Sequence, residues 1–164
     1  MVPVSAQESG WELLPPILAE IKQPTFPDRD FSLSDYGAKG DGKTDCQPAF
    51  DKAIAECAKA GGGRVVVPAG KWLTNGPIHL KSNVNLHVGE GATILFSTDA
   101  KHYLPVVYTR FEGTEVMNFS PLIYAFEQEN VAVTGKGILD GQAGDGKWWN
   151  WKGHWGGETD IGWK

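Results

Sequence analysis

The sequence predicts an all-β chain of stacked coils, a solenoid, carrying one amphipathic helix near its N-terminal side. Three observations predict it. After Gly61-Gly62-Gly63, short β-type segments follow one another, with Gly, Pro and Asn turns between them and no recurring helix. One stretch, 45–60, alone carries long-range helical spacing. A faint repeat lays Asn83-Val-Asn-Leu-His-Val-Gly-Glu-Gly-Ala-Thr-Ile94 over Asn130-Val-Ala-Val-Thr-Gly-Lys-Gly-Ile138 with a short gap, the trace that stacked coils leave. The missing alternation of helices disfavours a doubly wound α/β sheet. A β-sandwich stays open on this pattern alone.

Taken in order, residues 1–30 are a lead-in. Val4-Ser5-Ala6 before Gln7 has the small-residue pattern of a signal-peptidase site, yet no charged or apolar leader precedes it. Met1 therefore reads as a new start near an old cleavage point, with no intact signal peptide, and the parent protein is expected to be secreted or periplasmic. Ile17, Leu18 and Ile21 suggest a two-turn helix with Pro16 in its first turn, ended by Pro24 and Pro27. Phe31 to Tyr36 alternates like a strand.

Over 45–60, Cys46, Ala49, Phe50, Ala53, Ile54, Cys57 and Ala58 fall on one face and Gln47, Asp51, Lys52, Glu56 and Lys59 on the other. Thr44 or Asp45 is placed to cap its start and Gly61 its end. With one apolar face, this helix lies on the coils rather than inside them. Strands are expected at 64–67, 71–74, 77–81, 84–88, 92–96, 122–126, 130–134 and 137–140. The 97–121 stretch breaks the rhythm and reads as a surface insertion, where binding groups often sit.

With 164 residues, 41% hydrophobic and 21% charged, the chain suits one core-bearing domain and is neither disordered nor membrane-spanning. A net charge of -5 argues against nucleic acid or an anionic membrane as partner. Cys46 and Cys57 lie in one helical pattern, roughly 16 Å apart along its axis, too far to bridge. They read as core thiols. Gly37-Ala-Lys-Gly-Asp-Gly-Lys-Thr44 fits the phosphate-loop pattern and makes a nucleotide binder the rival from another class. Asp41 and Asp45 put negative charge where a polyphosphate would sit, and the helices such a sheet needs are missing.

Tyr36-Gly-Ala-Lys-Gly-Asp-Gly-Lys-Thr-Asp45, the helix, and Ala60-Gly-Gly-Gly-Arg-Val-Val-Val-Pro-Ala-Gly70 resemble the opening of pectin-degrading parallel β-helix enzymes. Leu80 to Leu95, Thr109-Arg-Phe-Glu-Gly113, Ser120-Pro-Leu-Ile-Tyr-Ala125 and Gly137-Ile-Leu-Asp-Gly-Gln142 narrow it: the chain is similar to bacterial polygalacturonase-like members of glycoside hydrolase family 28 over about residues 31–152. The resemblance implies a right-handed parallel β-helix, a pectin-lyase-like solenoid, of which 31–164 is the N-terminal part and 45–60 the capping helix. It implies an inverting hydrolase of galacturonide or rhamnogalacturonide links, with pectic polysaccharide or oligogalacturonide as partner and neither metal nor other cofactor.

The family's acidic motifs, of the types Asn-x-Asp, Asp-Asp, Gly-His-Gly and Arg-x-Lys, do not occur in these residues. No catalytic residue is therefore assigned, and the chain alone is expected to be a truncated, inactive fragment that self-associates through its uncapped end. Asp140 is tempting as an acid, but Asp-Gly is a turn signal and the resemblance implies a structural bend. Arg110 and Glu112 are candidate sugar-binding residues, the arginine pairing with a uronate carboxylate, or else the two pair with each other or a neighbour. Trp148 and Trp149, with Trp151, are candidates for stacking on sugar faces, or else they pack a loop onto the scaffold. His79 and His87 have no acidic cluster beside them, and Lys136, Lys147 and Lys152 read as solvated surface. A non-catalytic carbohydrate-binding or structural β-helix protein is the alternative.

Overall fold

The computed structural model of the chain describes residues 10–144, 147 and 148. Its first regular elements are a 3-10 turn, Gly10–Leu13, and helix α1 (Leu14–Glu20), with proline in the first turn as expected. The α1 apolar side chains are largely exposed, Ile17 at 54% and Leu18 at 57%. Strands β1 (Asp30–Ser32) and β2 (Asp41–Asp45) precede helix α2 (Gln47–Lys59). Then come β3 (Gly63–Val67), β4 (Gly70–Thr74), β5 (Ile78–His79), β6 (Val84–Val88), β7 (Ala92–Phe96), β8 (Val107–Phe111), β9 (Thr114–Asn118), β10 (Ile123–Tyr124), β11 (Ala132–Gly135) and β12 (Ile138–Asp140).

These strands pair in parallel from coil to coil. One sheet runs β1-β3-β6-β11, a second β2-β4-β7-β12, and a third joins β5 to β10. Each strand's alternate residues turn inward, so apolar side chains pile into columns. Val65 lies opposite Leu86 and then Val133; Trp72 lies opposite Ile94 and then Leu139. Val65, Leu86 and Ile94 are fully buried, and burial of such a side chain is worth about 1.5–3 kcal/mol. This is a parallel β-helix, and the two-layered sandwich that the sequence pattern left open is excluded.

Helix α2 covers the first coil with Ala49, Phe50, Ala53, Ile54 and Cys57, all buried. It is two residues later at its start than the apolar spacing suggested. Thr44 does not cap it, because its hydroxyl donates to Asp41 instead (2.7 Å). Asp45 does, accepting from the Gln47 backbone N–H (2.9 Å) and also from Asn75 (3.0 Å), which ties the helix start to the turn after β4. At the other end the Gly61 N–H donates to Ala58 and the Gly62 N–H to Cys57. That pair of bonds, with Gly61 at φ 86°, is a Schellman cap. Cys46 and Cys57 are free and buried.

The internal repeat is a structural register. Asn83 and Asn130 both take positive φ (64° and 54°) at the same corner of successive coils. The Asn130 side-chain amide donates to the Asn83 side-chain oxygen (3.0 Å), and β6 and β11 pair as the alignment requires, Leu86 with Val133 and His87 with Thr134. The gap is one residue wrong. Ile138 lies opposite Thr93, and Leu139 is the residue over Ile94. With a side-chain period of two, one residue of slip exchanges the inward for the outward face, so Ile138 is 60% exposed where Ile94 is buried.

One other expectation fails. The 31–36 strand is only Asp30–Ser32; Leu33–Tyr36 winds into a 3-10 turn that buries Leu33 against α2. The 97–121 insertion carries regular structure of its own. Its β8 and β9 form an antiparallel hairpin turning at Glu112-Gly113, where φ is 50° and 85°. Positive φ at both central residues is the primed turn that suits a two-residue hairpin, with glutamate where asparagine is usual.

Candidate functional site

The phosphate-loop pattern is disposed of by its own aspartate. Asp41, at the start of β2, accepts the backbone N–H groups of Lys43 and Thr44 (both 2.8 Å) and the Thr44 hydroxyl. Two of the amides and the hydroxyl that would cradle a phosphate are already satisfied by a carboxylate, and from Asp41 onward the segment is strand rather than loop. The nucleotide-binding alternative through Gly37–Thr44 is thus overturned.

The same contacts lower the Asp41 pKa from 3.8 to about 2, the Thr44 N–H first and the Lys43 N–H next. A carboxyl whose pKa falls on folding stabilises the native state above its unfolded value and loses that contribution as pH drops through the folded one. Between pH 3.8 and 2, an Asp41→Asn variant is expected to lose less thermal stability than the parent chain. Melting temperatures recorded across that window check it; parallel curves would remove Asp41 from the acid response.

Beside the coils, the Ala100–Tyr103 turn, the hairpin and the bend after β12 enclose a cavity of about 610 Å³. Tyr103, Phe111, Phe119, Leu122 and Trp148 give it an aromatic and aliphatic lining, with Asn118 and Ser120 as side-chain polar groups. The Trp148 indole N–H donates to the Gly141 carbonyl (2.6 Å), and its ring meets Tyr103 edge-on at 5.7 Å. Tyr103 is itself buried and donates to the Ser97 carbonyl (2.6 Å); burial pushes its pKa up to about 12. Trp148 thus pins its loop to the scaffold and presents part of its ring to the cavity.

Arg110 and Glu112 stand apart from that cavity. Strand alternation puts Phe111 on the cavity side and Arg110 on the other, the face of Tyr108. That face is clasped to the coils: the Tyr124 hydroxyl donates to the Tyr108 carbonyl (2.7 Å), and Phe126 meets Tyr108 edge-on at 5.1 Å. Among the described residues, Arg110 has no carboxylate within ion-pair distance, so the Arg110–Glu112 pair does not form. Glu112 occupies the turn itself. The structure therefore joins Trp148 to neither of them, and Trp149 and Trp151 lie outside the described residues, as does Lys152.

Asp140 accepts the Gln142 backbone N–H (2.7 Å), and the Gln142 amide donates to the Phe96 carbonyl (2.7 Å). It holds a bend. His79 shares a hydrogen bond with Ser120 (3.0 Å) and His87 with Thr134 (2.9 Å). Lys136 lies 3.9 Å from Glu90 with both side chains in solvent. Phe111, Asn118, Phe119 and Ser120 were not anticipated as lining residues. Their signal was the density of aromatic and polar residues in the one stretch that broke the strand rhythm.

Residues 31–138 match the family described as "Rhamnogalacturonase A/epimerase, pectate lyase-like". The crystal structure of a hyperthermoactive exopolygalacturonase from Thermotoga maritima superposes with a TM-score of 0.83 at 53% identity, over 94% of this chain and 33% of that one. A family 28 exopolygalacturonase from Yersinia enterocolitica gives 0.61 at 31%, over 70% and 21%. A probable polygalacturonase of Vitis vinifera is 37% identical over 127 residues, 72% of this chain but 25% of that protein. The chain thus spans about a fifth to a third of these relatives. Coil register, capping helix and family match agree: the chain belongs to the rhamnogalacturonase A/epimerase, pectate lyase-like family of parallel β-helix proteins, and its relatives include polygalacturonases.

Proposed function

We propose that this chain forms the N-terminal coils of a secreted, pectin-degrading glycoside hydrolase of polygalacturonase type, with residues 1–30 as lead-in and 31–164 as part of its β-helix domain. The enzyme hydrolyses galacturonide or rhamnogalacturonide links with inversion. The observation that carries this reading is the 53% identity to an exopolygalacturonase over 94% of the chain.

Inversion requires a carboxylic acid to protonate the leaving oxygen and a carboxylate to activate water, held roughly 6.5–9.5 Å apart. No Asp or Glu is among the described residues lining the cavity, and Asp140 is committed to its bend. The chain by itself is accordingly inactive, and its contribution is to hold substrate. Arg110 meets a uronate carboxylate through its planar fork, Glu112 at the hairpin turn accepts sugar hydroxyls, and Trp148, with Trp149, offers aromatic surface to a pyranose.

A chimera tests this. The matching third of the Thermotoga maritima exopolygalacturonase is replaced by this chain, and reducing-sugar release from polygalacturonate is measured. The chimera is expected to be active and the isolated chain to give none. A folded but inactive chimera, or turnover by the isolated chain, contradicts the proposal.

A further inference from the structure

We propose that the cavity beside Trp148 binds a pectic unit in its uncharged form, a galacturonate carrying a methyl ester, in preference to the free uronate. This rests on the reading of the chain as part of a pectin-degrading enzyme and adds the chemical state of the unit bound.

The lining decides the charge. Among the described residues that form the cavity there is no Lys, Arg or His, and no Asp or Glu. A free carboxylate entering it would exchange water for aromatic rings without a countercharge, a costly transfer. Esterification removes that charge and supplies an apolar methyl group suited to the ring surfaces of Phe111, Phe119 and Trp148. Tyr103 stays neutral throughout the working pH range, its hydroxyl committed to the Ser97 carbonyl (2.6 Å).

The polar groups match a neutral guest as well. The Asn118 side-chain oxygen accepts the Phe119 backbone N–H (2.8 Å), which leaves the amide –NH₂ as the end with donors to spare. An uncharged donor suits an ester carbonyl or a ring hydroxyl. Ser120 is occupied, sharing one hydrogen bond with His79 and donating another to the Pro121 carbonyl (3.1 Å). The fixed cation of the hairpin, Arg110, lies on the opposite face. A volume of about 610 Å³ is within the range of small-ligand sites.

The test uses the 164-residue chain with trigalacturonate, fully methyl-esterified or as the free acid. Calorimetric titration gives affinities, and saturation-transfer NMR shows which ligand protons touch the protein. The ester is expected to bind at least about tenfold more tightly, with the strongest transfer to its methoxyl protons and little dependence on added salt. Phe111→Ala removes an exposed ring from a hairpin and leaves the coils intact, which circular dichroism verifies; it is expected to weaken ester binding about tenfold. Equal or tighter binding of the free acid, absence of methoxyl transfer, no binding of either form, or an unaffected Phe111→Ala variant each overturns the proposal. The chimera's activity is independent of all four results, so this inference can fail while the broader reading stands.

Discussion

Replacing Phe50 by alanine is expected to destabilise the chain by about 3–5 kcal/mol, the cost of emptying a large aromatic site in a close-packed core. Phe50 is fully buried on the inward face of α2, within the cluster that includes Leu33, Ile54 and Val65. Before α2, the strands that cover β3 and β4 are short or irregular: β1 has three residues, Asp30–Ser32, and β2 has five with a shifted register. The helix therefore takes the place of a coil, and Phe50 is its largest inward group. The Schellman cap at one end and Asp45 at the other fix its position, so neighbours cannot simply slide to fill the void. Urea unfolding followed by circular dichroism measures the effect as a shift in midpoint at constant slope. Ile17→Ala in α1, where the side chain is 54% exposed, is expected to cost under about 0.5 kcal/mol. A Phe50→Ala loss below about 1 kcal/mol would mean that the lid is not what closes the core.

How far the sequence could be read follows from which patterns are local. The faces of α2 depend on spacing within the helix, and they were legible. The coil stack was legible because Asn83 and Asn130 must both adopt positive φ at one corner, and asparagine tolerates that conformation. The register beyond them was not, because the distance from Gly135 to Ile138 depends on how tightly the chain turns over Val88, where Gly137 packs against backbone. The hairpin was missed since a Glu-Gly turn is a weak signal, and strand pairing between 107–111 and 114–118 outside the solenoid has no counterpart in neighbouring coils.

The candidate site shows the same division. Arg110 and Trp148 were identifiable as residue types with the right chemistry. That they lie on opposite sides of one hairpin was not legible, because facing is set by strand alternation within an element the pattern did not reveal. The phosphate-loop motif failed for a reason visible in the sequence: Asp41 sits between its glycines, and a carboxylate there takes the amides for itself.

The isolated chain is also expected to self-associate, and two lysines at its open end are expected to stop it. Strands β10, β11 and β12 are each the last in their sheet among the described residues, so their outer N–H and C=O groups lack a strand partner. Val133 and Leu139 continue the inward columns over Leu86 and Ile94, yet remain 43% and 44% exposed through that end. A parallel edge with apolar residues behind it is a template for another edge, and charged side chains are the usual means of blunting one. Val133→Lys with Leu139→Lys places two cations in the columns where solvent can still reach them, so the coils below keep their packing while stacking becomes repulsive. Sedimentation velocity over a concentration series should show oligomers for the parent chain and a monomer for the double variant. Identical, concentration-independent monomers for both would show that water satisfies this edge well enough for it to stand alone, and the open columns would then not drive assembly.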